Sequence, residues 1–261
     1  MAVVARSLTQ VMLPNIDEIG RYAVFLDLDG TIAEIADHPD AVHIPQPTLR
    51  LLASICDRTN HALAVISGRD IHGIDRLLNP LKLPVAGVHG LQRRDADGVM
   101  HAKDTPAIRP VVLSLEEAIG KEPGIVIEQK PGAVALHYRL RPDLERRCCA
   151  IVKEIVDRRS DFRLISGKMV FEIVPKGGDK GQVIETFLGE LPFYGRRPLF
   201  AGDDVTDETG FRVMNALGGV SIKIGDGETA ARFRAVNVRQ FRNWLCALVN
   251  EDPRKACNER S

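Results

Sequence analysis

Tyr22–Leu26 is an unbroken apolar segment that stops abruptly at Asp27-Leu28-Asp29-Gly30-Thr31. Such a run suits a buried strand, and the Gly-Thr pair after it suits a turn. In an open α/β sheet, ligands bind beyond the carboxyl ends of the strands, so this order sends Asp27 and Asp29 into the crevice. Their i, i+2 spacing brings both to one site, where two acids attack, transfer a proton or hold a hard cation that prefers oxygen ligands. An Asp-Gly turn after any strand reads the same way, so the motif needs support from elsewhere in the chain.

The same punctuation recurs downstream. Residues 62–66 form an apolar run ending in Ser67-Gly68-Arg69-Asp70, and residues 83–88 one that stops at His89-Gly90. Residues 198–202 end in Asp203-Asp204-Val205-Thr206-Asp207-Glu208, and Val220–Ile224 is a further strand beyond them. Helical spacing fills the gaps: residues 48–59, with Thr48 as the expected cap after Pro47; residues 181–188, just after Lys180; a helix to about Leu217, ended by Gly218-Gly219; and a last helix holding residues 244–249. Residues 34–47 read as a polar loop, 91–94 and 99–101 as a hairpin around Asp95-Ala96-Asp97-Gly98, and 251–261 as a fraying tail.

From about Pro106 the pattern changes to strands joined by turns. A helix over 107–119 precedes strands 125–128 and 133–140 around Gln129-Lys130-Pro131-Gly132. A second helix, through Leu144, Cys148, Ile151, Val152 and Ile155, precedes strands 162–165 and 169–174 around Ser166-Gly167-Lys168. The order αββαββ predicts an antiparallel sheet with both helices on one face. The expected organisation is an α/β core with a parallel, Rossmann-like sheet, residues 1–105 and 176–261, interrupted by an inserted α+β cap domain, residues 106–175. Side chains on one strand face recur every second residue, so Val134, Leu136 and Tyr138 oppose His137 and Arg139, while Phe171 and Ile173 oppose Glu172 and Ile127 opposes Glu128. With helices over the apolar side, Glu128, His137, Arg139 and Glu172 gather on the open face, either as solvated ion pairs or as a ligand surface.

Composition removes several function classes. The 35 basic and 35 acidic residues cancel, so no summed field draws the chain to nucleic acid or an anionic membrane. No apolar run approaches membrane-spanning length, and Arg6 and Gln10 interrupt the N-terminal apolar residues before a signal-peptide core forms. Five cysteines, including the adjacent Cys148-Cys149, show neither a disulfide framework nor zinc spacing. A reduced, cytoplasmic protein with a small-molecule partner is expected, with no feature that sets its oligomeric state.

Asp27 and Asp29, Ser67, Lys180, and the group Asp203, Asp204 and Asp207 thus stand, in that order, at strand ends or a helix start. In this order and spacing the chain resembles the haloacid dehalogenase (HAD) superfamily of phosphohydrolases. The resemblance implies that Asp27 is a nucleophile that becomes an aspartyl phosphate and that Asp29 is the acid and base. It implies that Ser67 and Lys180 hold the transferring phosphoryl oxygens, and that Mg²⁺ sits on Asp203, the Asp27 side chain and the Asp29 carbonyl. Asp204 and Asp207 are then a further metal ligand or orienting groups. A lysine and a divalent cation suit a phosphoryl group whose charge lies on its equatorial oxygens.

Gly202-Asp203-Asp204-Val205-Thr206-Asp207-Glu208 with Phe211, Gly87-Val88-His89-Gly90, Glu128-Gln129-Lys130 and Leu136-His137-Tyr138-Arg139 look more narrowly like the trehalose-6-phosphate phosphatases. That resemblance implies a Mg²⁺-dependent phosphatase acting on trehalose 6-phosphate, with Gly68, Arg69, His89, Glu128, Lys130, His137, Arg139 and Glu172 toward the sugar. The alternatives are a phosphatase of a sucrose- or mannosylglycerate-type phosphate, a phosphomutase, or a non-enzymatic sugar-phosphate sensor, against which the complete catalytic set counts.

Overall fold

The computed structural model describes residues 13–249; the interruption of the N-terminal apolar residues at Arg6 and Gln10 and the fraying tail expected over 251–261 lie outside the described residues. The first strand, β1 (Tyr22–Leu26), is buried along its whole length. Its odd and even residues feed different cores, because successive side chains point to opposite faces. Val24 and Leu26 pack with helices α1 (Gln46–Arg58), α2 (Ile71–Leu78) and α7 (Val238–Leu248). Ala23 and Phe25 pack with α5 (Lys180–Leu188) and α6 (Glu208–Ala216), where Phe25 stacks on Phe193 at 5.3 Å between centroids. This double burial is what a run without polar alternation requires.

Around β1 lie β2 (Leu63–Ile66), β3 (Val85–Gly87), β4 (Gln92–Arg94), β5 (Met100–Ala102), β10 (Arg197–Gly202), β11 (Val220–Ile224) and β12 (Phe233–Ala235). They form one eight-stranded sheet in the order β12-β11-β10-β1-β2-β3-β4-β5. The pairs from β12 to β3 are parallel, and the β4–β5 hairpin is antiparallel. Leu26 is level with Ala201 on one side and Val65 on the other. The residues just past these strands, Asp27, Asp203 and Ser67, therefore emerge together at one sheet edge.

A second, four-stranded antiparallel sheet has the order β6-β7-β9-β8, from β6 (Val126–Lys130), β7 (Ala133–His137), β8 (Phe162–Gly167) and β9 (Val170–Pro175). Helices α3 (Arg109–Ile119) and α4 (Glu145–Asp157) cover one face through Val111, Leu115, Val134, Leu136, Cys148, Val152, Phe171 and Ile173. The other face is not left to solvent. Its Ala133, Ile165 and Val174 close on Val88 and Leu91 beyond β3.

Several local expectations change. Thr48 does not cap α1, which starts earlier, at Gln46, with Pro47 in its first turn, where a missing N–H costs nothing. The buried Thr48 hydroxyl instead accepts a bond from Arg242 at 3.2 Å. Gln129 and Lys130 belong to strand β6, Lys130 pairing with Ala133, so Pro131-Gly132 alone makes the turn. Likewise Gly167 pairs with Val170, which leaves Lys168 and Met169 at the hairpin tip. Lys180 is the first residue of α5, capped by Asp179, and the three-residue strand β12 carried no periodic signal. Among the described residues, no helix is long and apolar enough to cross a membrane.

Candidate active site

At the carboxyl edge of the large sheet, Asp27, Ser67 and Asp203 are all buried, and Lys180 reaches them from the start of α5. A cation there opposes the helix dipole, so carboxylates rather than the helix must hold it. Lys180 Nζ donates to Asp27 Oδ1 at 2.8 Å and to Asp207 Oδ1 at 2.7 Å. Asp207 Oδ2 accepts from the backbone N–H groups of Asp203 and Asp204, each at 2.9 Å. Both Asp207 oxygens are thereby taken in orienting Lys180 and the loop that carries Asp203. Lys223, an interior lysine of β11, donates to the Asp203 carbonyl at 2.7 Å. Gly30, at φ +77°, lies so close that a Cβ would sit 2.1 Å from Asp203 Oδ2. Only glycine lets the loop after β1 fold onto this carboxylate.

Charge in this cluster is out of balance. Oxygens of Asp27, Asp203 and Asp207 lie within 4.8 Å of one another. Burial pushes the Asp27 carboxyl well above its ordinary value; Lys180 opposes the shift, and Asp207 and Asp203 add to it. Burial likewise pushes Asp203 up to about 6, against the pull of Lys168, and raises Asp204. Lys180 is raised because Asp207 and Asp27 outweigh the desolvation that would lower it. Buried acids short of positive charge, with a cradle kept clear by Gly30, fit a hard divalent cation. Asp27 and Asp203 have the oxygens for it, and Asp204 lines the same cavity. The Asp29 carboxylate lies outside that group of three, in a two-point ion pair with Arg69 at 2.7 and 2.8 Å. Arg69 also donates to the Pro39 carbonyl at 3.0 Å.

The face of the small sheet that meets the core completes an open cavity of about 150 Å³, lined by Asp27, Asp29, Ser67 and Arg69 below and Glu128, His137 and Glu172 above. Glu172 Oε2 contacts His89 Nε2 at 2.5 Å, and its Oε1 accepts from Lys130 Nζ at 2.5 Å. Lys130 also donates to the Gly68 carbonyl at 3.0 Å, and Glu128 Oε2 contacts His137 Nε2 at 2.8 Å. Arg139 lies past the end of β7 and reaches the loop after β1, donating to the Ala36 carbonyl at 3.1 Å. Val88 and His89 both have positive φ, 48° and 54°, in a region that non-glycine residues seldom occupy. That backbone aims the His89 ring at Glu172.

The Glu172–Lys130 pair makes a pH-dependent contribution with a definite sign. Burial works against the charged Glu172, yet Lys130 and His89 outweigh it and hold the carboxyl well below its usual value. Desolvation opposes the Lys130 charge too, and Glu172 and Glu128 raise it. A depressed carboxyl stabilises the fold above its unfolded value, about 4.3, and the gain is lost as pH falls through the folded value. A raised lysine contributes below about 10.4 and loses that gain at higher pH. Glu172→Gln takes the nearest counter-charge from a buried ammonium, leaving it Glu128 at 3.8 Å, and is expected to cost about 3 kcal/mol at pH 7. The deficit should shrink toward pH 3, read as melting temperature against pH. Parallel curves for the two proteins down to pH 3 would exclude this pair as the source.

The site contains two lysines that sequence reasoning passed over. Lys223 left a signal, a charge inside the otherwise apolar Val220–Ile224. Lys168 left only its place in an expected turn, and its Nζ meets Asp203 Oδ2 at 2.5 Å.

Comparison with known proteins adds to the geometry. Residues 25–238 match the family model described as trehalose-phosphatase. The chain is 42% identical over 243 residues to the trehalose-6-phosphate phosphatase of Escherichia coli (strain K12), covering 92% of this chain and 91% of that protein. It is 41% identical over 210 residues to a probable trehalose-phosphate phosphatase of Sinorhizobium fredii, covering 80% and 79%. The solved C-terminal domain of a C. albicans trehalose-6-phosphate phosphatase shares the fold, with a TM-score of 0.80 at 22% identity, covering 89% of this chain and 93% of that one.

Proposed function

Because the chain belongs to the trehalose-phosphatase family, we propose that it hydrolyses trehalose 6-phosphate to trehalose and inorganic phosphate through an aspartyl phosphate on Asp27, with Mg²⁺ as its metal. The chain is a HAD-fold phosphatase. The observation that carries the mechanism is the meeting of Asp27, Lys180 and Asp203 at one buried strand edge.

Asp27 attacks phosphorus while the bond from phosphorus to the sugar oxygen breaks. Asp29 gives that oxygen a proton and afterwards takes one from the water that cleaves the acyl phosphate. Arg69 must release Asp29 for this exchange, since its guanidinium holds both carboxylate oxygens. Ser67 and Lys180 bind the equatorial oxygens. When bound by Asp27, Asp203 and the Asp29 carbonyl, Mg²⁺ supplies the positive charge that lets an anionic nucleophile approach a phosphate dianion. Asp207 orients Lys180 and the Asp203 loop, and Asp204 is left as the additional candidate ligand.

In this reading residues 1–105 and 176–261 are the catalytic core and residues 106–175 the cap. Gly68, Arg69, His89, Glu128, Lys130, His137, Arg139 and Glu172 meet the sugar hydroxyls and close the site to bulk water. A cytoplasmic location accords with Cys56, Cys148, Cys149 and Cys246, all thiols among the described residues.

The test is phosphate release from a panel of sugar phosphates with and without EDTA. Trehalose 6-phosphate should exceed sucrose 6-phosphate and glucose 6-phosphate by about 10²-fold or more in kcat/KM, as expected of a site that hydrogen-bonds several hydroxyls. EDTA should abolish the activity and added Mg²⁺ restore it. Equal rates across the panel would sink the substrate, and metal-independent release would sink the role of Asp203.

A further inference from the structure

The β8–β9 tip is the part of the small sheet that meets the acid cluster, and the reaction just described makes no use of it. Lys168 Nζ donates to Asp203 Oδ2 at 2.5 Å, joining a half-exposed ammonium to a buried carboxylate. A Cβ on Gly167 would lie 2.8 Å from Asp204 Oδ2, so the tip backs onto the Asp203-Asp204 loop with no room for a side chain. Arg139 then ties the tip down, donating to the Lys168 carbonyl at 2.9 Å and to the Ala36 carbonyl of the core at 3.1 Å. A half-exposed lysine on a carboxylate is ordinarily a weak surface pair. Here its partner is one of the three acids whose oxygens converge within 4.8 Å, and its backbone is fixed from two sides.

The ammonium therefore holds a carboxylate that a divalent cation would take, and its positive charge opposes a cation there. A displaced Lys168 has somewhere to go. Its side chain already lines the cavity shared with Asp27, Ser67 and Lys180, into which a phosphate dianion would bring fresh negative charge. Resting on the phosphatase reading above, we propose that Lys168 is a catalytic residue with two positions. It pairs with Asp203 in the metal-free enzyme, and it donates to the transferring phosphoryl group once a cation holds Asp203. One phosphoryl ligand thus comes from the inserted module, and full activity requires the tip to be docked.

Lys168→Gln and Lys168→Arg test this with two readouts. In calorimetric titration of the substrate-free protein with Mg²⁺, Lys168→Gln should bind the ion about tenfold more tightly, because the competing charge is gone. At saturating Mg²⁺ its kcat on trehalose 6-phosphate should fall about 10²-fold, the usual effect of losing one donor to a developing charge, with Lys168→Arg keeping most of the rate. Unchanged Mg²⁺ affinity overturns the first position. Tighter Mg²⁺ with undiminished kcat overturns the second. A wild-type protein that releases phosphate from no sugar phosphate would remove the phosphatase reading, while the Mg²⁺ titration would still decide whether Lys168 competes for Asp203.

Discussion

Asp27→Asn is expected to abolish phosphate release, by at least about 10⁴-fold in kcat, while the protein stays folded and still binds trehalose 6-phosphate. An amide has the shape of the carboxylate without its nucleophilic charge, so attack on phosphorus is lost and one cation ligand is weakened with it. The effect on stability comes from burial. Asp27 is 4% exposed, and desolvation, with Asp207 and Asp203 nearby, already disfavours its charge. A neutral amide removes that repulsion, its oxygen accepts from Lys180 in place of Oδ1, and its NH₂ donates to the Thr31 hydroxyl in place of Oδ2. The melting temperature should therefore hold or rise. Turnover within tenfold of wild type would refute the nucleophile, and loss of the folded state would refute the view of Asp27 as an electrostatic burden on the fold.

How much of this was legible in the sequence depended on the kind of signal. Tyr22–Leu26 could be read because a strand covered on both faces must be apolar throughout, and the residues immediately after such a strand must lie at the sheet edge. Ser67 and Asp203 were legible for the same reason. The alternation of Val134, Leu136 and Tyr138 correctly named the helix-covered face. It could not say what the opposite face meets, because that depends on docking against Val88 and Leu91, distant in sequence. Lys130 and Lys168 were both assigned to turns, since Pro131-Gly132 and Gly167 dominate the local signal. Two-residue hairpins returned Lys130 to a strand and left Lys168 at a tip.

The difference between Asp204 and Asp207 was also beyond sequence reasoning, since both acids come after the same strand. It depends on hydrogen bonds. Asp207 is fully occupied by Lys180 and two backbone N–H groups, so its charge holds the machinery in place. Asp204 lines the cavity itself.

Lys180→Met should produce the largest combined loss, because one buried ammonium joins Asp27, the proposed nucleophile, to Asp207, which orients the cluster. Lys180 is 3% exposed and bridges Asp27 and Asp207, so methionine fills its volume but leaves two buried carboxylates without their cation. Breaking a buried pair from one side costs about 3–5 kcal/mol, which for a chain of this size lowers the melting temperature by roughly 10 °C. With Lys180 as the proposed phosphoryl ligand, its loss adds a fall in kcat of about 10³-fold. The pH dependence separates this account from simple mispacking. Lys180 has a raised folded value, so its stabilisation is present below about 10.4 and lost only above it. In the variant, Asp27 keeps a raised folded value and loses its main counter-charge, so the folded state binds more protons than the unfolded one and gains stability as pH falls. The gap in melting temperature from wild type should accordingly narrow from pH 8 to pH 5, and narrow again when Mg²⁺ supplies positive charge at pH 8. A gap that stays constant across pH and Mg²⁺ would assign the loss to packing and remove Lys180 from the charge balance of the site.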